Sequence, residues 1–129
     1  MDLAANKKTA RDFLEASCTG DLEQMRDLTT DDFTWWQFPS TQFGGTHQKA
    51  EFFDMLAGAF ADVEGPSWID YGDFTAEEDR VSVTAQGHMK LKGGRIYDSH
   101  YHLLFYFRDG KICAGREYLD TALVNRIFG

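Results

Sequence analysis

The second half of the chain restricts its fold most. Between Trp68 and Leu119 four extended segments, Trp68–Thr75, Arg80–Leu91, Arg95–Phe107 and Lys111–Leu119, follow one another with only "AEED", "KGG" and "RDG" between them. Alternating, aromatic-rich runs joined by turn residues pair with their sequence neighbours, so this half predicts an antiparallel meander. Such a sheet has a face to cover, and the first half supplies the cover. Leu3, Ala10, Phe13, Leu14 and Ser17 recur at helical spacing, with Lys7, Lys8, Arg11, Asp12 and Glu15 between them, which predicts an amphipathic helix over 3–16. Gly20 suits a left-handed stop, and Asp21 caps a second helix through Leu22, Met25 and Leu28. "FTWWQF", ending at Pro39, reads as one strand, and "PSTQFGGT" as a loop. Thr46 is expected to cap a third helix whose Ala50, Phe53, Leu56, Ala57 and Phe60 share a stripe and which stops near Gly65 and Pro66. The tail "TALVNRIFG" reads as a short last helix or an extension over a pocket mouth. Helices first and strands afterwards predict an α+β domain, with about three N-terminal helices on one face of a mainly antiparallel sheet. At 129 residues, without repeat or linker, the chain is expected to form a single domain over 1–129.

Charge and spacing narrow the partners. With 21 acidic against 13 basic residues the net charge is −8, and the basic residues are scattered, so neither nucleic acid nor an anionic membrane is expected to bind. Cys18 and Cys113 stand far apart with no CxxC pair, which predicts two free thiols in a reducing compartment. "MDLAANKKTARDF" lacks the apolar core of a secretory signal, and no apolar run reaches the roughly 20 residues of a membrane span, so a cytoplasmic location is expected. The Gly pairs at 44–45 and 93–94 are turns, and neither makes a phosphate-binding signature. No nucleotide or redox cofactor is expected.

If the sheet is curved, its concave face and the helices enclose a cone, a natural small-molecule site. The aromatic share of 15% can serve the core and line such a cone together. Strand alternation alone allows either of two parities, so Glu117 is a pocket carboxylate in one register and an exposed residue or arginine partner in the other, where Asp120 takes its place. Asp120 otherwise ends the strand and caps the last helix. His100 and His102, two apart on one strand with Asp98 beside them, lack a third ligand at an established spacing, and no metal is predicted.

"TGDLEQMRDLTTDDFTW", "GGTHQKAEFFDML" and "YDSHYHLLFYFRDGKICAGREYLDT", in this order over nearly the whole chain, resemble the nuclear transport factor 2-like superfamily, in its SnoaL-like and ketosteroid isomerase-like branches. The resemblance implies a cone-shaped fold and a homodimer. Matching "DGKI" and "GREYLD" to the family's last turn and strand implies that Tyr97, Ser99, Tyr101, Leu103, Glu117 and Leu119 face inward, with Trp35 and Gln37 from the earlier strand and Phe13 from the first helix. It sends Asp98, His100, His102, Arg116, Tyr118 and Asp120 outward, toward the dimer face. A ketosteroid isomerase needs a carboxylate base, a tyrosine and a protonated acid, where the resemblance puts Gln37, Phe13 and Leu103. A limonene epoxide hydrolase-like site needs two carboxylates flanking an arginine, and "DRVSV" offers Arg80 with Ser82 in place of one acid. Both activities are therefore disfavoured. SnoaL-like cyclases need a single acid/base carboxylate, which Glu117 resembles, with Tyr101 and Gln37 as hydrogen-bonding groups and Trp35, Phe13, Tyr97, Ser99, Leu103, Leu119 and Arg80 around an apolar or aromatic, polyketide-like substrate. The alternative is a ligand-binding or dimerisation module of the same fold, its cone filled by packed rings.

Overall fold

The computed structural model describes residues 2–129. Helix α1 (Leu3–Thr19) starts at Asp2, whose carboxylate accepts from the amide of Ala5, and stops at Gly20, whose φ of +72° is left-handed. Asp21 caps α2 (Leu22–Asp27) by accepting from the amide of Gln24 at 3.1 Å. β1 (Thr29–Gln37) begins four residues before Phe33, and β2 (Gly45–Gln48) runs back along it where a loop was expected. Thr46 is therefore a strand residue opposite Trp36, not a helix cap, and α3 (Lys49–Ala61) starts after Gln48 without any side-chain cap.

β3 (Trp68–Glu77) and β4 (Arg80–Lys90) form a long hairpin. The expected strand Arg95–Phe107 is divided at Asp98 and Ser99 into β5 (Ile96–Tyr97), which pairs with β4, and β6 (His100–Arg108). β7 (Lys111–Leu119) follows, and Asp120 caps α4 (Thr121–Phe128) by accepting from Leu123 N at 3.1 Å. The sheet order is β2-β1-β7-β6-β4-β3. The meander from β3 to β7 is antiparallel, but β1 joins β7 in parallel, with Trp35 beside Gly115 and Gln37 beside Glu117. Curled into a half-barrel, this sheet packs its concave face against the helices as an α+β cone. None of the described helices is long and apolar enough to cross a membrane.

The core fills the narrow end of the cone with rings. Phe13 of α1 lies 5.8 Å from Trp35 and 6.5 Å from Phe52 of α3, and Phe33 and Phe105 complete the cluster from the sheet. Burial of each such side chain contributes about 1.5–3 kcal/mol, which fixes the helices against the strands. A second cluster, Leu91, Tyr97, Leu123 and Val124, holds α4 against the opposite end. There Arg95 ties Asp62, at the end of α3, to the carbonyl of Ile127.

Candidate active site

Between α1, α3 and the concave face lies a mainly apolar cavity of about 170 Å³. Phe13, Trp35, Tyr97, Tyr101, Leu103 and Glu117 all line it. Gln37 stands behind Glu117 and outside the lining, Ser99 is buried in the strand break, and Leu119 packs into the α4 cluster. Arg80 does not reach the cavity. It stands at the tip of the β3–β4 hairpin, 41% exposed, within 3.7 Å of Glu77 and 4.0 Å of Glu78, so the arginine of an epoxide hydrolase-like site has no counterpart in the cavity.

Glu117 gets its place from the parallel pairing. Residues side by side on β1 and β7 share a face, so Trp35 and Gln37 both aim at the carboxylate. Trp35 Nε1 donates to Glu117 Oε1 at 2.8 Å, and Gln37 Nε2 donates to the same oxygen at 3.2 Å. Gln37 is itself held, because its Oε1 accepts from Thr41 Oγ1 at 3.1 Å. Both donors meet Oε1, which leaves Oε2 without a protein donor on the cavity side. Burial pushes the Glu117 pKa above the ordinary carboxylate value, and the bonds from Trp35 and Gln37 pull in the opposite direction. The result is a carboxyl suited to exchanging a proton nearer neutrality than a surface glutamate would.

The Trp35 indole lies so close to Gly115 that any larger residue there would have to displace it. A Cβ on Gly115 would come within 2.2 Å of Trp35 Cζ3. Beside them Leu103 pairs directly with Glu117 across β6 and β7, and Tyr101 follows one step along the same face. Tyr101 donates its hydroxyl to Tyr97 Oη at 3.2 Å. Both phenols are pushed up chiefly by burial: Tyr101, well above its ordinary value, is raised further by Tyr97 and Glu117, whereas Tyr97 is lowered by the bond it accepts from Tyr101 and raised again by Glu117. They stay protonated and serve as hydrogen-bond donors rather than bases.

The open end of the cavity holds a feature that sequence reasoning missed. Trp68, 53% exposed, stacks on His88 at 4.9 Å. His88 Nε2 lies 2.8 Å from Asp70 Oδ2, and Nδ1 lies 3.3 Å from Asp98 Oδ2. Only a doubly protonated ring donates from both nitrogens, and the bond to Asp70, then the one to Asp98, raises the His88 pKa against some opposing burial. His100 and His102 lie on the outer face, where His102 shares a hydrogen bond with Ser82, and no set of three metal-ligating side chains gathers among the described residues. Cys18 and Cys113 are free thiols, and Cys18, pushed up by burial, lines the cavity from α1.

The model of the SnoaL-like domain matches residues 10–115. The chain belongs to the SnoaL-like family. No curated protein matches this SnoaL-like domain. Among solved structures it is similar to a protein of unknown function with a cystatin-like fold from Xanthomonas campestris, at 25% identity over 96% of this chain and 98% of that one, with a TM-score of 0.81. An NTF2-like protein from Burkholderia xenovorans is 24% identical over 100% and 99% of the two chains, with a TM-score of 0.78. TerC, crystallised with polyporic acid, is 19% identical over 95% and 97%, with a TM-score of 0.80. These likenesses establish the NTF2-like fold and leave the chemistry to the residues of this chain.

Proposed function

We propose that this SnoaL-like domain binds a small apolar or aromatic molecule in the cone and performs cofactor-free acid/base chemistry on it, of isomerase, cyclase or hydro-lyase type. One observation carries the reading: the half-buried Glu117 stands among the rings that line the cavity, its Oε1 held by two donors and its Oε2 left without one. In that position the free oxygen takes a proton from an acidic carbon of the ligand. The Tyr101–Tyr97 pair stabilises the enolate oxygen that develops, and the proton returns to a different atom. Tyr101 acts through Tyr97, whose own O–H is the one left for the ligand, while Gln37 and Trp35 are positioning residues. That TerC, a protein of the same fold, was crystallised with polyporic acid supports a small organic ligand for this chain.

A cytoplasmic homodimer is part of the proposal. Its interface is the outer face of the sheet, where the exposed Phe38 and Tyr118 cluster with half-buried Trp36, Trp36 and Tyr118 centred 5.0 Å apart. The alternative, a binder without a reaction, draws support from the modest cavity and dense ring packing around it.

Native mass spectrometry of the purified protein, followed by hydrogen exchange of the co-purified ligand in D₂O, separates the two. We expect carbon-bound deuterium with the wild type and a loss of about 10²–10⁴ in exchange rate with Glu117→Gln. Exchange that is equal in both proteins removes Glu117 from the chemistry, and a bound ligand that exchanges with neither leaves a binder.

A further inference from the structure

We propose that the cavity is built for an uncharged molecule of about one ring, carrying a hydroxyl or carbonyl, and that it turns carboxylates away. This deepens the preceding reading and rests on the cavity being a ligand site. Three observations converge on it.

The first is size. A cavity of about 170 Å³ is close to the roughly 150 Å³ that accommodates benzene, and well below the roughly 300–1,000 Å³ of ordinary ligand pockets. The ring walls that set this volume, Phe13, Trp35 and Phe52, are buried and packed on one another, so they do not yield to a larger polycycle.

The second is charge. Neither lysine nor arginine occurs among the described residues that line the cavity. The lining cation is His88, and Asp70 and Asp98 engage both of its ring nitrogens, so no N–H remains for an incoming anion. At the closed end a carboxylate ligand meets Glu117, another acid, in a protein of net charge −8. An ion stripped of water without a counter-charge binds poorly.

The third is hydrogen bonding. No protein donor reaches Glu117 Oε2, and the Tyr97 hydroxyl, which accepts from Tyr101, donates to no protein group. A ligand hydroxyl that donates to the carboxylate and accepts from Tyr97 satisfies both, as does a carbonyl accepting from Tyr97 and from Glu117 in its protonated form.

Tryptophan emission reads the site directly, because Trp35 and Trp68 both line the cavity. The protein is titrated at neutral pH with phenol, benzoate and 9-phenanthrol, which carries a hydroxyl on three fused rings. We expect saturable binding of phenol, benzoate weaker by at least about tenfold, and no displacement of phenol by phenanthrol. Benzoate binding as tightly as phenol overturns the charge selection, and phenanthrol displacing phenol overturns the size limit. In both cases the cavity survives as a ligand site. Saturable binding of none of the three means a cone closed by its own rings, and the functional reading falls together with this inference.

Discussion

Replacing Gly115 by alanine should disable the site without touching it. Gly115 has no left-handed backbone to explain its identity. What requires glycine is Trp35, whose Cζ3 and Cε3 would lie 2.2 and 2.3 Å from the new Cβ. Ordinary carbon contacts are about 3.5–4.0 Å, so the indole must withdraw by more than 1 Å. It cannot do so freely, because Phe52 is centred 5.1 Å away, Phe13 5.8 Å and Phe105 5.9 Å. Overpacking of this kind costs about 1–3 kcal/mol, and loss of the Trp35 bond to the buried carboxyl adds about 1.5–3 kcal/mol where that bond breaks. A combined loss near 3 kcal/mol lowers Tm on the order of 10 °C in a domain of this size. Thermal melts read the first consequence, and carboxyl-carbon NMR the second: the Glu117 pKa climbs further once a donor that lowers it is gone. Trp35→Phe is the control, removing the donor without adding bulk, and the two variants should raise the Glu117 pKa together. A Gly115→Ala protein that melts like the wild type, with Glu117 titrating unchanged, refutes the claim that this glycine places the indole.

Glu117→Gln should stabilise the protein as pH rises. The folded carboxyl has a pKa above its unfolded value, so the native state binds more protons in that interval and wild-type stability falls as pH climbs from about 4.5 through the raised folded value. Glutamine keeps an acceptor for Trp35 and Gln37 and has no such fall, so the Tm difference between variant and wild type grows over this window and then levels, as melts across a pH series will record. His88 follows the same sign. Its folded pKa lies above 6.5, so its contribution is fully present below that value and fades as pH rises through the folded one. The Tm deficit of His88→Gln should shrink in the same direction, and Asp98→Asn should bring the ring's NMR titration down toward 6.5.

The parts of the fold legible in sequence were those written locally. Asp21 and Asp120 could be read as caps and Gly20 as a stop because each acts within a few residues of itself. The β4 and β7 boundaries followed from their flanking turns. β2 was not legible, because "GTHQ" is short and polar and is a strand only through its pairing with β1. The break at Asp98 and Ser99 carries neither glycine nor proline to announce it. His88 was missed for a related reason. Counting back from the Glu77–Arg80 pair without interruption puts Trp68 opposite Met89, but a one-residue irregularity between Tyr71 and Phe74 puts it opposite His88. A bulge of this kind leaves little trace in composition, yet it decides which side chains meet.

Glu117 shows why the candidate site was harder to read than the fold. Its two donors lie 82 and 80 residues away on β1, and a strand pattern says only that they alternate, not which face is inside. Parity becomes definite once β1 docks beside β7, because in a parallel pair Trp35 and Gln37 share the face of Gly115 and Glu117. A slip of one residue would turn Glu117 outward, strip it of both bonds and drive the Trp35 ring into a neighbour that has a Cβ. The pairing that closes the sheet across the length of the chain is therefore the same event that builds the carboxylate's environment. Any piece of the chain that holds the site must therefore run from β1 to β7, so the carboxylate's environment forms only once the strands between them are in place.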